Sequence, residues 1–372
     1  MNNFSLFDFL PEEEAKQYRA IKSTDWKWKM ENDYPKEKNG LKVFSCFACG
    51  GGSTMGYKLA GCEVLGCNEI DARMNNVYVE NHKPKYNYLM DIRDFNKIDD
   101  LPKELYDLDI LDGSPPCTTF SMAGDREESW GKKKKFKEGQ AEQTLDDLSF
   151  VFIETVAKLK PKVVIMENVE GLIKGEAWSY VQKIYKQLND IGYKCKHWLL
   201  KGEEMGVPQK RHRVFFVATR LDFNLDNLDM QFNYEPIPYK TIKDGKGYEI
   251  NKKEGDLYKT LLKTKVGDKT LYDVLKREQP DRCTYYQEQV LWDDSICGTI
   301  RGDSGVYRGK EKTLISKEEL FAIQTFPQDF VGNSESFWHL EYICGMSVPP
   351  IMIKRIVNRL IESGLFNYKI KE

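Results

Sequence analysis

From residue 41 onward, short apolar runs alternate with segments of helical periodicity, and this alternation limits the possible folds more than any other feature of the chain. The runs are LKVFSCFA, CEVLGCN, YDLDILDG, PKVVIMEN and, further on, VFFVAT. Between them, MGYKLAG, DARMNNVYVENH, DDLSFVFIETVAKL and WSYVQKIYKQLNDIG repeat apolar residues at helical spacing. Consecutive strands pair in parallel only across a crossover, so the pattern predicts an α/β fold, a doubly wound sheet with helices on both faces. Residues 221 to about 290 lose the rhythm and turn polar, and residues 240–269 hold nine lysines against five acids. The rhythm returns in KEELFAIQTF and PPIMIKRIVNRLIESG. The expected organisation is a polar extension over 1–40, with Trp26 and Trp28 as docking points. A main domain over 41–220 follows, then an insertion over 221–290 and a return to the main domain over 291–372.

Composition enters mainly by exclusion. A net charge of −2 over 372 residues gives no global pull toward nucleic acid or membrane, so a polyanion must meet a local basic patch. No stretch is long enough to span a bilayer, and MNNFSLFDFLPEEE lacks a basic region followed by an apolar run. Nine cysteines, an odd number, predict reduced thiols in a cytoplasm. Cys46, Cys49, Cys62 and Cys67 approach zinc-ribbon spacing, yet Cys46 and Cys67 fall in apolar runs where free cysteine is a common core residue. No metal site is expected.

In a doubly wound sheet, ligands gather beyond the carboxyl ends of the strands. FACGGGS follows the first run, and its glycines are expected to let backbone approach a ligand. Glu69 ends the second run, where an acid suits ribose hydroxyls, so a nucleoside cofactor is the better reading. Cys117 follows the fourth run behind Pro115 and Pro116, and Glu167 follows VVIM. QKRHR leads into RVFFVA, placing Arg211 and Arg213 two apart on one strand face. A thiol, a carboxylic acid and paired guanidiniums at one edge make a nucleophile, a proton donor and an anion or carbonyl clamp.

Taken in order, FACGGGS, NEID, Asp91-Ile92, SPPCTTFS, MENV, PQKRHR, SICGTIRG, LFAIQTFPQDF and GMSVPP resemble the cytosine-C5 DNA methyltransferases. The likeness runs from residue 41 to about 360. It implies a Rossmann-like, S-adenosylmethionine-dependent methyltransferase sheet in which residues 221–290 form the inserted target-recognition domain. It implies that Cys117 adds to cytosine C6, pushing electron density to C5, and leaves when the C5 proton is lost. Glu167 would engage N3 and donate a proton, which a closed pocket favours. Arg213 would hold O2, with Arg211 supporting a loop or phosphate, and the base would be flipped out of the duplex.

By the same resemblance, S-adenosylmethionine contacts fall to Phe47, Ala48, Cys49, Gly50, Gly51, Gly52, Ser53, Glu69, Ile70, Asp91, Ile92, Pro116, Leu148, Met346, Ser347 and Val348. Double-stranded DNA would meet Ser121, Lys132, Lys133, Lys134 and Gln209, with Arg126, Trp130 and Lys135 completing a lid after Cys117. A monomer in the cytoplasm of a bacterium or phage-infected host is expected, with a cognate restriction endonuclease as partner. Three positions depart from the family pattern: Cys49 replaces a glycine, Thr118 a glutamine and Met346 an asparagine. A tRNA cytosine-C5 methyltransferase of the same fold, a catalytically idle DNA-binding module and a zinc-ribbon regulator are the rival readings.

Overall fold

Strands β1 (Lys42–Cys46), β2 (Glu63–Glu69), β3 (Tyr86–Leu89), β4 (Ile110–Gly113), β5 (Val163–Val169), β6 (Tyr193–Lys201) and β7 (His212–Arg220) form one sheet. Their order is β3-β2-β1-β4-β5-β7-β6, with β7 antiparallel to both neighbours and the other pairings parallel. This arrangement is the expected α/β, doubly wound Rossmann-like sheet, with one antiparallel strand, β7, inserted next to the edge strand β6. The computed structural model describes residues 21–116, 148–250, 255–282, 288–302, 305–334 and 336–367. Cys117, Thr118, Ser121, Arg126, Trp130, Lys132, Lys133, Lys134 and Lys135 therefore lie outside the described residues.

The central strands read as unbroken apolar runs because both faces are covered, and alternate side chains enter different cores. Val43, Ile110, Val163, Ile165, Phe215 and Val217 enter one cluster. Phe44, Leu111, Val164, Met166, Val214 and Phe216 enter the other. The first cluster is completed by α1 (Gly52–Leu59) and α2 (Ala72–His82), the second by α3 (Leu148–Leu159) and α4 (Trp178–Asp190). Asp71 caps α2, its carboxylate accepting from the Arg73 and Met74 amides at 2.8 and 3.4 Å.

The unrhythmic stretch divides differently from expectation. Leu225, Leu228, Met230, Ile237, Tyr239 and Ile242 belong to the main core. A smaller unit then forms from α5 (Asp256–Leu262), α6 (Leu271–Glu278), β8 (Gln289–Leu291), β9 (Val306–Arg308) and β10 (Thr313–Leu314). Its own cluster joins Leu261, Leu271, Val290, Tyr307 and Leu314, so this unit extends past residue 290. After it come α7 (Lys317–Gln324), α8 (Phe337–Met346) and α9 (Pro350–Glu362). The junction is a buried polar network. Arg308 lies 2.7 Å from Glu319 and 3.0 Å from Asp244, and the Tyr239 hydroxyl donates to Glu319 at 2.9 Å.

Residues 21–40 behave as an extension packed on the main domain. The Trp28 indole donates to the Thr325 carbonyl at 2.9 Å, and Asp25 pairs with Arg355 at 2.6 Å on α9.

Candidate active site and cofactor cavity

Chain order reverses between β1 and β4, so their outgoing loops diverge and leave a crevice at the sheet's carboxyl edge. The loop after β1 bends through two left-handed residues, Phe47 at φ 56° and Cys49 at φ 47°. Cys49 thus adopts the conformation that a glycine would take most easily, and the turn survives the change of residue type. The bend aims the Cys49 amide at Glu69, whose carboxylate accepts it at 2.7 Å. The Ile70 and Asp71 amides donate to the other Glu69 oxygen at 2.8 and 2.9 Å. Burial pushes the Glu69 pKa up, and these three N–H groups oppose that shift.

The cavity is lined by every residue expected to hold the cofactor except Gly50 and Gly51. A methyl on Gly50 would lie 2.7 Å from Ile343, and one on Gly51 would lie 2.0 Å from the His82 ring. Those two glycines therefore admit α2 and α8 behind the loop, a correction to the idea that they open the backbone to a ligand. Met346 is 49% exposed and lines the cavity rather than the core. Asn68, Asp71, Met74, Met90, Ser114 and Tyr342 line it too, although the sequence reading did not name them. The signals were local: Asn68 and Asp71 flank Glu69 in NEID, and Tyr342 lies one helical turn before Met346. Asn68 also positions Asp91 indirectly, since its amide donates to the Tyr88 and Met90 carbonyls at 3.1 and 2.9 Å where the chain leaves β3.

Beside the cavity, Glu167 and Asn168 lie within β5 rather than beyond it. Glu167 Oε1 is 2.9 Å from Arg213 Nε, both side chains being largely buried. The antiparallel register sets Val169 opposite Arg213, which brings Glu167 to Arg213 along the strand diagonal. The Asn168 amide donates to the Pro115 carbonyl at 3.3 Å, fixing the exit of β4 two residues before Cys117.

Two expected contacts turn out to be internal. Arg211 falls between strands, is 3% exposed, and donates to the Ile300 and Gly345 carbonyls at 3.2 and 3.0 Å. It braces the Ile300 loop against the last turn of α8, and a phosphate contact does not fit that burial; desolvation pushes its pKa down to about 9. Gln209 is fully buried, bonded to Gln324 at 2.7 Å and to the Ile300 amide at 2.9 Å, so its side chain is not presented to DNA.

The zinc-ribbon cysteines do not converge. Cys46 and Cys62 enter different main clusters, and Cys67 packs with Ala48 and Tyr78. Among the described residues, no group of three or more His, Cys, Asp or Glu side chains is placed to hold a metal ion. No described helix is long and apolar enough to cross a membrane.

Sheet order and the crevice at the strand reversal define a Rossmann-like α/β fold that carries an acid–guanidinium pair on neighbouring strands. The sequence profile of the C-5 cytosine-specific DNA methylases matches residues 41–362. The chain belongs to that family and is a DNA (cytosine-5-)-methyltransferase. Among its relatives, the Type II methyltransferase M.Bsp6I of Bacillus sp. (strain RFL6) is 29% identical over 87% of this chain and 100% of its own length. The Type II methyltransferase M.FnuDI of Fusobacterium nucleatum is 30% identical over 89% of this chain and 97% of its own. A mutant of Spodoptera frugiperda DNMT2 shares the fold, with a TM-score of 0.60 at 17% identity, covering 87% of this chain and all of that one.

Proposed function

We propose that this enzyme methylates C5 of a flipped cytosine in a specific duplex DNA sequence, with S-adenosylmethionine as donor and Cys117 as nucleophile. The cavity suits that donor: Glu69 and Asp91 offer acceptors to the ribose hydroxyls and the adenine amino group, and Ile70 and Ile92 offer apolar surface to the ring. When bound there, S-adenosylmethionine supplies an electrophilic methyl group. Cytosine C5 is too weakly nucleophilic to accept it unaided. The Cys117 thiolate adds to C6, electron density moves to C5, and after methylation the loss of the C5 proton expels the thiolate. Glu167 donates a proton at N3 as the thiolate attacks, and Arg213 holds O2. Pro115, held by Asn168, keeps the segment before the thiol from wandering.

The observation that carries this reading is that Ser114 and Pro116, at the exit of β4, line the Glu69 cavity while Pro115 between them is bonded to Asn168, the neighbour of Glu167 in the Glu167–Arg213 pair. The small unit positions phosphates and reads bases, and Ser121, Lys132, Lys133 and Lys134 contact the DNA, the lysines through its phosphates. The Type II names of its relatives fit an enzyme that works beside a cognate restriction endonuclease, here as a cytoplasmic monomer in a bacterium or a phage-infected host. Expression in an unmethylated host followed by methylation-sensitive sequencing tests it. The expected result is 5-methylcytosine at one recurring sequence. Methylation confined to structured RNA would transfer the activity to the tRNA-type reading.

A further inference from the structure

We infer that Asp112 is a positioning residue that locks helix α1, one wall of the cofactor cavity, to strand β4, which delivers Cys117. Asp112 is 1% exposed on β4. Its carboxyl accepts from the Ser45 hydroxyl at 2.7 Å and the Tyr57 hydroxyl at 3.0 Å. The Ser53 hydroxyl is a further partner. Ser53 and Tyr57 stand one turn apart on α1, and Ser53 lines the cavity. Two residues after Asp112, Ser114 lines it as well, followed by Pro115 and Pro116.

A buried carboxyl is a costly way to hold two elements together. Apolar side chains of similar size usually serve stability as well or better. What hydroxyl–carboxyl bonds add is direction, fixing α1 and β4 at one separation instead of letting them slide. That separation sets how far the bound donor lies from the nucleophile. Among the described residues, the ionisable groups acting on Asp112 include Glu167 on β5, Cys46 on β1, Tyr57 on α1 and Tyr78 on α2. Burial raises its pKa to about 7, with Glu167 adding to the rise.

The inference rests on the methyl-transfer reading, and the test separates the two. Full-length wild type, Asp112→Asn, Asp112→Leu and Tyr57→Phe are assayed for DNA methylation, S-adenosylmethionine affinity and melting temperature. Asp112→Leu should lower kcat by about 10- to 100-fold, as displacement of reacting groups does, with little change in donor affinity. Asp112→Asn keeps the shape and should restore most of kcat, and its kcat–pH profile should lose a step near neutrality that the wild type shows. Tyr57→Phe should lower kcat by a smaller factor. Should Asp112→Leu fail to fold, the Asn and Phe variants still decide. Unchanged kcat in both, with a wild-type pH profile in Asp112→Asn, overturns the inference. So do losses of kcat that merely follow melting temperature. A wild type that methylates no cytosine overturns the proposed function and this inference with it. An active wild type with indifferent variants overturns this inference alone.

Discussion

The edge of the sheet that holds the candidate site gathers its residues from the ends of β1, β2, β3, β4, β5 and β7, whereas the small unit around β8, β9 and β10 draws its core from one continuous stretch. At the edge, position is enforced by backbone: three amides hold Glu69, and two strands in register bring Glu167 to Arg213. In the small unit, five buried apolar residues form the cluster, and each contributes about 1.5–3 kcal/mol when fully buried. The unit also leans on the main domain through Arg308, Glu319 and Asp244.

The largest expected contrast is in turnover. Glu167→Gln should lower kcat by about 100- to 10,000-fold, the range for losing a general acid. Lys259→Ala, on exposed α5, should leave kcat intact and reduce the salt slope of DNA binding by about one phosphate contact. Steady-state assays at several salt concentrations read both. Equal effects on kcat would erase the division of labour.

Next comes the junction. Glu319 is fully buried against Arg308, so Glu319→Gln removes one charged partner of the guanidinium while Asp244 stays at 3.0 Å, and should cost about 1–3 kcal/mol. Denaturant unfolding followed separately in the two units should show the small unit melting first. A single unchanged transition would mean that the unit stands without this network.

Two glycines sharpen the same comparison. Gly51 has φ +90° and lies against His82, whereas Gly267, at φ +106°, has nothing within 4 Å of an added methyl. Gly267→Ala pays only for the left-handed backbone, about 1–2 kcal/mol. Gly51→Ala adds overpacking and should cost about 3 kcal/mol or more. Similar melting shifts for the two would contradict the tight packing of α2 behind the loop.

Met346 gives the smallest effect. It is half-exposed in the cavity, where methionine offers only a weak sulfur acceptor. Met346→Asn should tighten S-adenosylmethionine binding by about 0.5–1.5 kcal/mol, one hydrogen bond. Calorimetry showing equal or weaker binding would remove Met346 from the cofactor's contacts.

The same contrast explains what could be read from the sequence. Alternating runs made the sheet legible, because strands covered on both faces are apolar throughout. Candidate residues at strand ends also meet, since topology brings strand ends together: Glu69, Asp91 and Met346 line one cavity, and Glu167 meets Arg213. Partners across elements were not: nothing in PQKRHR says that Gln209 turns inward to Gln324, or that Arg211 spends its donors on Ile300 and Gly345. The segment 221–290 misled because a few spaced anchors such as Leu225, Met230 and Tyr239 tie polar chain to the main core. Polar composition hides such anchors, and the small unit's strands are too short to show a period.

The most direct test of the central claim is covalent trapping at Cys117. Full-length enzyme incubated with S-adenosylmethionine and duplex DNA carrying 5-fluorocytosine in the methylated sequence should give an adduct that survives denaturation, because fluorine at C5 cannot leave as a proton and the thioether is not released. Peptide mapping should place the attachment at Cys117, and Cys117→Ser should give none. An adduct that persists in the serine variant, or that maps to another cysteine, would contradict the assignment.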